Sequence, residues 1–161
     1  MLEVKHSREF AVVDERVTGI LGSTDVGSVL EPWEVRVVLD HIGVPVSDFE
    51  RSKRFYAEAL SPLGYELIME PSVSAAGFGR WGKPDFWISQ GEPGQAFHIA
   101  FAADERAIVD AFHEAAIAAG GRDNGGPGLR PEYHPSYYGA FVFDPDGNNI
   151  EAVCHGPQQE A

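Results

Sequence analysis

From Val35 onward the chain repeats itself. The stretch LDHIGVPVSDFERSKRFYAEALSPLGY lies on AFHIAFAADERAIVDAFHEAAIAAGGR at an offset of 57 residues, which puts His41 on His98, Ile42 on Ile99, Asp48 on Glu105, Phe55 on Phe112, Leu60 on Ile117 and Gly64 on Gly121. Self-similarity of this kind marks two copies of one supersecondary unit. Each copy reads as a strand, then a helix, then a glycine stop. In the first helix Ser47 is placed to cap and Glu50, three residues on, to complete a capping box. Phe49, Phe55, Tyr56 and Leu60 form its apolar stripe, and Ile108, Phe112, Ala115, Ala116 and Ala119 form that of the second helix. Gly64 and the Gly120-Gly121 pair suit helix ends.

Strand-like pieces follow each helix. In the first copy they are YELIME, AAGFGRW and DFWISQ. In the second they are a Gly-rich loop ending in PEYHPSY, then YGAFVF, then NIEAV. The order is βαβββ twice. A half of this size cannot cover both faces of its own sheet, so the halves have to pair, within the chain or between chains. The fold class is therefore α+β. One domain spans residues 35–157, with a first module at about 35–92 and a second at about 93–157. Residues 1–34 form an N-terminal extension, with a polar GSTDVGS patch and a strand candidate in EFAVVDERV.

Charge and cysteine content restrict the partners. Twelve Lys and Arg stand against 25 Asp and Glu, a formal charge of −13. Such a chain repels phosphate backbones and anionic membranes, which argues against nucleic acid or a membrane as partner. Cys154 is the single cysteine, so no intrachain disulfide can form and a reducing compartment is implied. MLEVKHSREF lacks the apolar run of a signal peptide, and no stretch approaches a membrane span. A cytoplasmic protein is the expectation.

The stretch DPDGNNIEAV places a carboxylate inside an apolar strand. Its first four residues are turn chemistry, and a strand follows. Successive side chains of a strand alternate between faces, so Ile150, Ala152 and Cys154 share one face and Glu151 takes the other. The same parity puts Ile42 and Val44 on the helix side of the first strand and His41 opposite. Phe97, Ile99 and Phe101 likewise face the helix in the strand that opens the second copy, with His98 opposite. A lone strand histidine is more often a hydrogen-bonded structural group than a ligand. The repeat changes that, because it makes His41 and His98 equivalent positions. Two imidazoles and a carboxylate on one concave wall form a divalent-metal site with open positions. His41, His98 and Glu151 are the metal-ligand candidates, expected to meet mainly within one chain because they come from one repeat pair, and the ion could be Fe, Mn, Ni or Zn.

The repeat, together with DHIGVPVSDFERSKRFYAEALSPLGY, FHIAF and DPDGNNIEAV, resembles the vicinal oxygen chelate superfamily over about residues 37–155. That group includes glyoxalase I, bleomycin-resistance proteins, extradiol dioxygenases and fosfomycin-modifying enzymes. The resemblance implies paired βαβββ modules curled into an open, cup-shaped mixed sheet. It implies metal ligands at His41, His98 and Glu151, and a homodimer. One departure is informative. Laying DFWISQ on NNIEAV puts Phe86 on Ile150 and Trp87 on Glu151, and tryptophan cannot ligate a metal. Gln90 is out of register unless a bulge rescues it. Three protein ligands leave room for a bidentate substrate and weaken the case for glyoxalase I activity itself.

Other residues are candidates for chemistry or binding. PEYHPSYYGAF holds Tyr133, His134, Tyr137 and Tyr138 at the expected rim of the cup. His134 and Tyr138 could act as acid or base, and Tyr133 and Tyr137 could contact substrate. Trp87 and Arg80 are the substrate-binding candidates of the first module. Arg106, Arg122 and Arg130 are few cations for a phosphonate, so the fosfomycin branch fits poorly. Two readings of function remain. One is a metal-dependent enzyme on a small substrate that chelates through vicinal oxygens, with lyase, isomerase or dioxygenase-type chemistry. The other is a non-catalytic binder of small aromatic molecules.

Overall fold

The computed structural model describes residues 39–156. The N-terminal extension, with its EFAVVDERV strand candidate, lies outside the described residues. The first module runs β1 (Ile42–Val46), α1 (Phe49–Ala59), a 3-10 turn (Ser61–Leu63), β2 (Glu66–Ser72), β3 (Ala75–Arg80) and β4 (Lys83–Gln90). The second runs β5 (His98–Ala102), α2 (Arg106–Ala118), β6 (Arg122–Leu129), β7 (Tyr138–Phe143) and β8 (Asn149–Cys154). Each module forms its own four-stranded mixed sheet, in the orders β1-β4-β3-β2 and β5-β8-β7-β6. The first strand of each sheet is parallel to the last and the remaining pairs are antiparallel. This is the α+β, paired βαβββ architecture that the repeat implies.

The registers of the two modules match. Ile42 opposes Phe86 and Gly43 opposes Trp87 in the first sheet, while Ile99 opposes Ile150 and Ala100 opposes Glu151 in the second. Trp87 thus occupies in module one the place that Glu151 occupies in module two. The helix-side faces of both sheets, with α1 and α2 packed against each other, share one core. Aromatic rings carry it across the module boundary. Tyr56 meets Phe86 edge-on at 4.7 Å, and Phe86 meets Phe101 of β5 at 5.6 Å. Pairs of this geometry add about 0.5–1.5 kcal/mol each beyond their buried area.

Three local readings of the sequence are corrected. The Gly-rich segment 122–129 is not a loop but strand β6, paired with β7 from Arg122 opposite Phe143 to Leu129 opposite Tyr138. Glycine and proline weaken a strand on their own, but here register shifts absorb the misfit and β7 supplies the partner. The second correction concerns the start of α1. Asp48, not Ser47, caps it, its carboxylate accepting from the Arg51 N–H at 3.1 Å. Ser47 is drawn instead to Asp146, which accepts from its N–H at 3.0 Å and from its hydroxyl. Thirdly, α2 buries Val109 with Phe112 and Ala116, while Ile108, Ala115 and Ala119 are half-buried.

The DPDGNN turn between β7 and β8 fastens the modules together. The buried Asp144 carboxylate accepts from the N–H groups of Asp146 at 2.9 Å and Asn148 at 2.8 Å, and from the Asn148 side chain at 2.8 Å. It also accepts from the Tyr56 hydroxyl of α1 at 2.5 Å. Burial, and then the neighbouring Asp144 charge, hold the Tyr56 phenol well above its ordinary pKa. The next acid of the turn, Asp146, sits at the N-terminus of α1, where negative charge is favourable.

Candidate functional site

Parity along β8 sends Glu151 away from the helix, yet the side chain is only 1% exposed. Its cover is built from neighbouring strands. On β5, His98 brings Nε2 to 3.1 Å from Glu151 Oε2. From the segment leading into β7, the Tyr137 hydroxyl donates to Glu151 Oε1 at 2.5 Å. Gly139 on β7 makes room for both groups, because a Cβ there would stand 2.9 Å from Glu151 Oε1 and 3.1 Å from the Tyr137 ring. Burial first, and then the bond to Glu151, raise the Tyr137 pKa, so the phenol stays a donor.

The His98 ring is oriented from behind. Its Nδ1 lies 3.2 Å from the Asn149 carbonyl oxygen, which can only accept, so Nδ1 carries the proton. With Nδ1 protonated, Nε2 faces a carboxylate oxygen either as an N–H donor or through its lone pair. Two lone pairs at this distance need a positive centre between them, a proton or a metal ion. A backbone carbonyl behind the imidazole and a hydroxyl behind the carboxylate are the supports that metal-ligating side chains receive. His98 and Glu151 therefore fit a divalent ion as two of its ligands.

His41 does not join them. It stands just before the equivalent strand of the other sheet, exposed, with Nδ1 2.9 Å from Asp40 Oδ2. Among the described residues no group of three or more His, Cys, Asp or Glu is gathered closely enough to hold a metal. The physical reason lies in the core. The two sheets meet through their helix sides, so parity gives each module an open face and does not bring the two faces together.

The other candidates divide between these faces. The Tyr137 ring packs edge-on against Tyr133 at 5.2 Å and against His155 at 5.1 Å. His134 stands 6.4 Å from His155 and accepts the Ser136 N–H at Nδ1, so it sits on the same rim. Tyr138 points the other way, its hydroxyl on Asp110 of α2 at 2.7 Å, and is not brought to Glu151. Trp87 lies over Gly77 of β3 on the open face of module one, where a Cβ on Gly77 would meet the indole at 2.9 Å. Gln90 is taken up by α1, accepting the Phe49 N–H at 3.0 Å and donating to the Ser47 carbonyl at 2.8 Å. Arg80 stacks on Trp81 at 4.5 Å and on Tyr65 at 5.9 Å. With His41, Tyr65 and Asp85 it lines a pocket of about 210 Å³ beside β5.

Sequence reasoning missed Tyr65, Asp85, Gly139 and Asn149 as parts of these settings. His113 of α2, half-buried, is bonded to Asp123 at 2.8 Å and takes no part in either setting. The signal for Gly139 was available, since a glycine directly before Ala140-Phe141 interrupts an otherwise apolar strand.

The two matched sheets, with a histidine opening each and a carboxylate at the second, have a counterpart among known families. The model of the "Glyoxalase/Bleomycin resistance protein/Dioxygenase superfamily" matches residues 38–152. The chain belongs to this superfamily. It is similar to the crystal structure of a glyoxalase/bleomycin resistance protein from Albidiferax ferrireducens T118, at 34% identity and a TM-score of 0.63, covering 71% of this chain and 97% of that one. It is 29% identical over 134 residues to the uncharacterized protein YqjT of Bacillus subtilis (strain 168), covering 72% of this chain and 98% of YqjT. A lactoylglutathione lyase from Agrobacterium tumefaciens shares the superfamily fold, at 18% identity and a TM-score of 0.55, covering 75% of this chain and 96% of that one. Among the described residues no helix is long and apolar enough to cross a membrane.

Proposed function

We propose that the protein is a divalent-metal-dependent enzyme acting on a small substrate that chelates through two neighbouring oxygens. The observation that carries this reading is the His98–Glu151 pair, Nε2 and Oε2 3.1 Å apart with the other side of each group already bonded. The third ligand in this reading is His41 of a second copy. A two-fold dimer would lay the open face of module one, with His41, Trp87 and the half-exposed Met69, against the open face of module two of its partner. Fe, Mn, Ni and Zn all suit two histidines and a carboxylate.

The chain's own groups set the reaction's surroundings. Tyr137 holds Oε1 of Glu151, which leaves Oε2 as the oxygen that faces His98. In such a dimer the Trp87 indole would stand where a fourth ligand would be. Tyr133 and His134 on the rim are the groups placed to contact substrate or pass a proton, since Tyr138 is engaged by Asp110. A bound divalent ion would polarise the substrate oxygens and stabilise negative charge developing on them.

One observation favours the second reading, a binder without chemistry: among the described residues of one chain no three ligands gather. Metal analysis of the full-length protein, purified without a histidine tag, separates the two. The enzyme reading expects close to one ion per chain, falling several-fold in His41→Ala, His98→Ala and Glu151→Ala alike. Full metal content in all three variants would place the site elsewhere, and no metal in the native protein would favour the binder.

A further inference from the structure

Arg130 follows β6 and turns back over the open face of module two. Its guanidinium lies 5.6 Å above the Phe141 ring, and the other neighbour of that ring is His98, with centroids 6.3 Å apart. Phe141 opposes Glu151 directly in the β7–β8 ladder, so Arg130, Phe141, His98 and Glu151 share one face. The glycines of β6 make the seat. A Cβ on Gly128 would stand 2.8 Å from Arg130 Nη1, and one on Gly125 would stand 3.2 Å from the Phe141 ring and 3.6 Å from Nη2. Two bonds fix the fork, from Nη1 to the Leu129 carbonyl at 3.2 Å and from Nη2 to the Gly126 carbonyl at 2.8 Å.

The charge of Arg130 is not met by an acid within the described fold. With 25 acidic residues against 12 basic ones, an arginine has many potential partners. Yet among the described residues no carboxylate stands within ion-pair distance of Arg130. Two carbonyl bonds use two of the five N–H groups of a guanidinium and leave three. A half-buried, oriented guanidinium on an aromatic floor, with donors to spare, is suited to a planar oxyanion.

We infer that Arg130 is the anion-recognition residue of the site: the substrate carries a carboxylate that docks on Arg130, one aromatic ring away from the His98–Glu151 pair. This rests on the proposed function for where the reacting oxygens lie, but the carboxylate contact itself needs no metal. Phe141 and Tyr137 then flank an unsaturated or aromatic body between the two ends. A lone arginine with two carbonyl bonds matches one carboxylate better than the dianionic phosphonate that the sequence already made a poor fit.

The test compares benzoate with its neutral isostere benzamide by titration calorimetry on the full-length protein. Benzoate is expected to bind at least about 10-fold more tightly, the range of one charge-assisted contact. Arg130→Gln should abolish that preference by weakening benzoate far more than benzamide. Equal binding of the two probes by the native protein overturns the inference, as does a preference that survives in R130Q. Should R130Q fail to fold, Arg130→Lys keeps the charge without the planar fork and should lose several-fold of the preference; an unchanged preference overturns the inference. Cobalt binding, followed separately by its visible absorption, reports on the metal reading, so failure of one leaves the other standing.

Discussion

Glu151 shows how one residue's role depends on what covers it. A carboxylate on the open side of a last strand would ordinarily face water, but here a hydroxyl, an imidazole and a side-chain-free Gly139 enclose it. Tyr137→Phe removes the donor to Oε1 and leaves that oxygen buried without a partner. Outer supports of this kind are worth about 10–100-fold in metal affinity. A cobalt titration of Y137F should show a loss in that range with the fold intact by circular dichroism, and unchanged affinity would deny Tyr137 the role. Tyr56 makes the second residue-scale prediction. Its raised pKa means that the folded state holds the phenolic proton while the unfolded chain releases it near pH 10. That contribution is complete below about pH 10 and is lost as pH rises past it. Tyr56→Phe should cost about 1–2 kcal/mol at neutral pH through Asp144, and the gap between native and Y56F in urea unfolding should narrow from pH 9 to 11. A constant gap would contradict the argument.

At the scale of elements, the ends of the helices carry the join between modules. Asp48 caps α1 from its own chain segment, while Asp146, 99 residues after Ser47, reaches the same turn from the β7–β8 connection. At the far end of α2, Gly120 takes φ +94°, and Gly121 then passes so close to both modules that a Cβ would meet the Phe55 ring of module one at 2.8 Å and Val142 of module two at 2.5 Å. Gly121→Ala therefore overpacks the junction. The expected cost is about 1–3 kcal/mol, read as a lower denaturation midpoint with an unchanged slope. An alanine tolerated without loss would show that α2 can shift away from α1.

For the whole molecule, the question is which open faces meet. If the sites form between copies, His41→Ala and Glu151→Ala each disable both sites of a homodimer. Unfolded together and refolded, half of the dimers are mixed, and each mixed dimer regains one intact His41–His98–Glu151 set. Cobalt binding should then recover to about a quarter of the native level, the value that random pairing across a two-fold interface gives. Sites built within single chains would show no recovery. Sedimentation equilibrium of the native protein gives the companion result, a mass of twice 17.5 kDa; a monomer would remove the shared-site reading.

What the sequence determined by itself is what local chemistry and repetition control. The offset of His41 and His98 established two equivalent modules, and strand parity established which side of β1, β5 and β8 each side chain takes. The Trp87–Glu151 equivalence also followed, since both registers are copies of one pattern. Tertiary structure decided the rest. Segment 122–129 became a strand because β7 was there to pair with it, against its own propensity. Ser47 was drawn to Asp146 from across the fold, while Asp48 directly before the helix capped it. Arg130 came to lie beside Phe141 only once β6 had its register. Above all, parity says which face a residue takes but not which faces meet: the shared core joined the helix sides of the two sheets, and that left His41 apart from His98 and Glu151 within one chain.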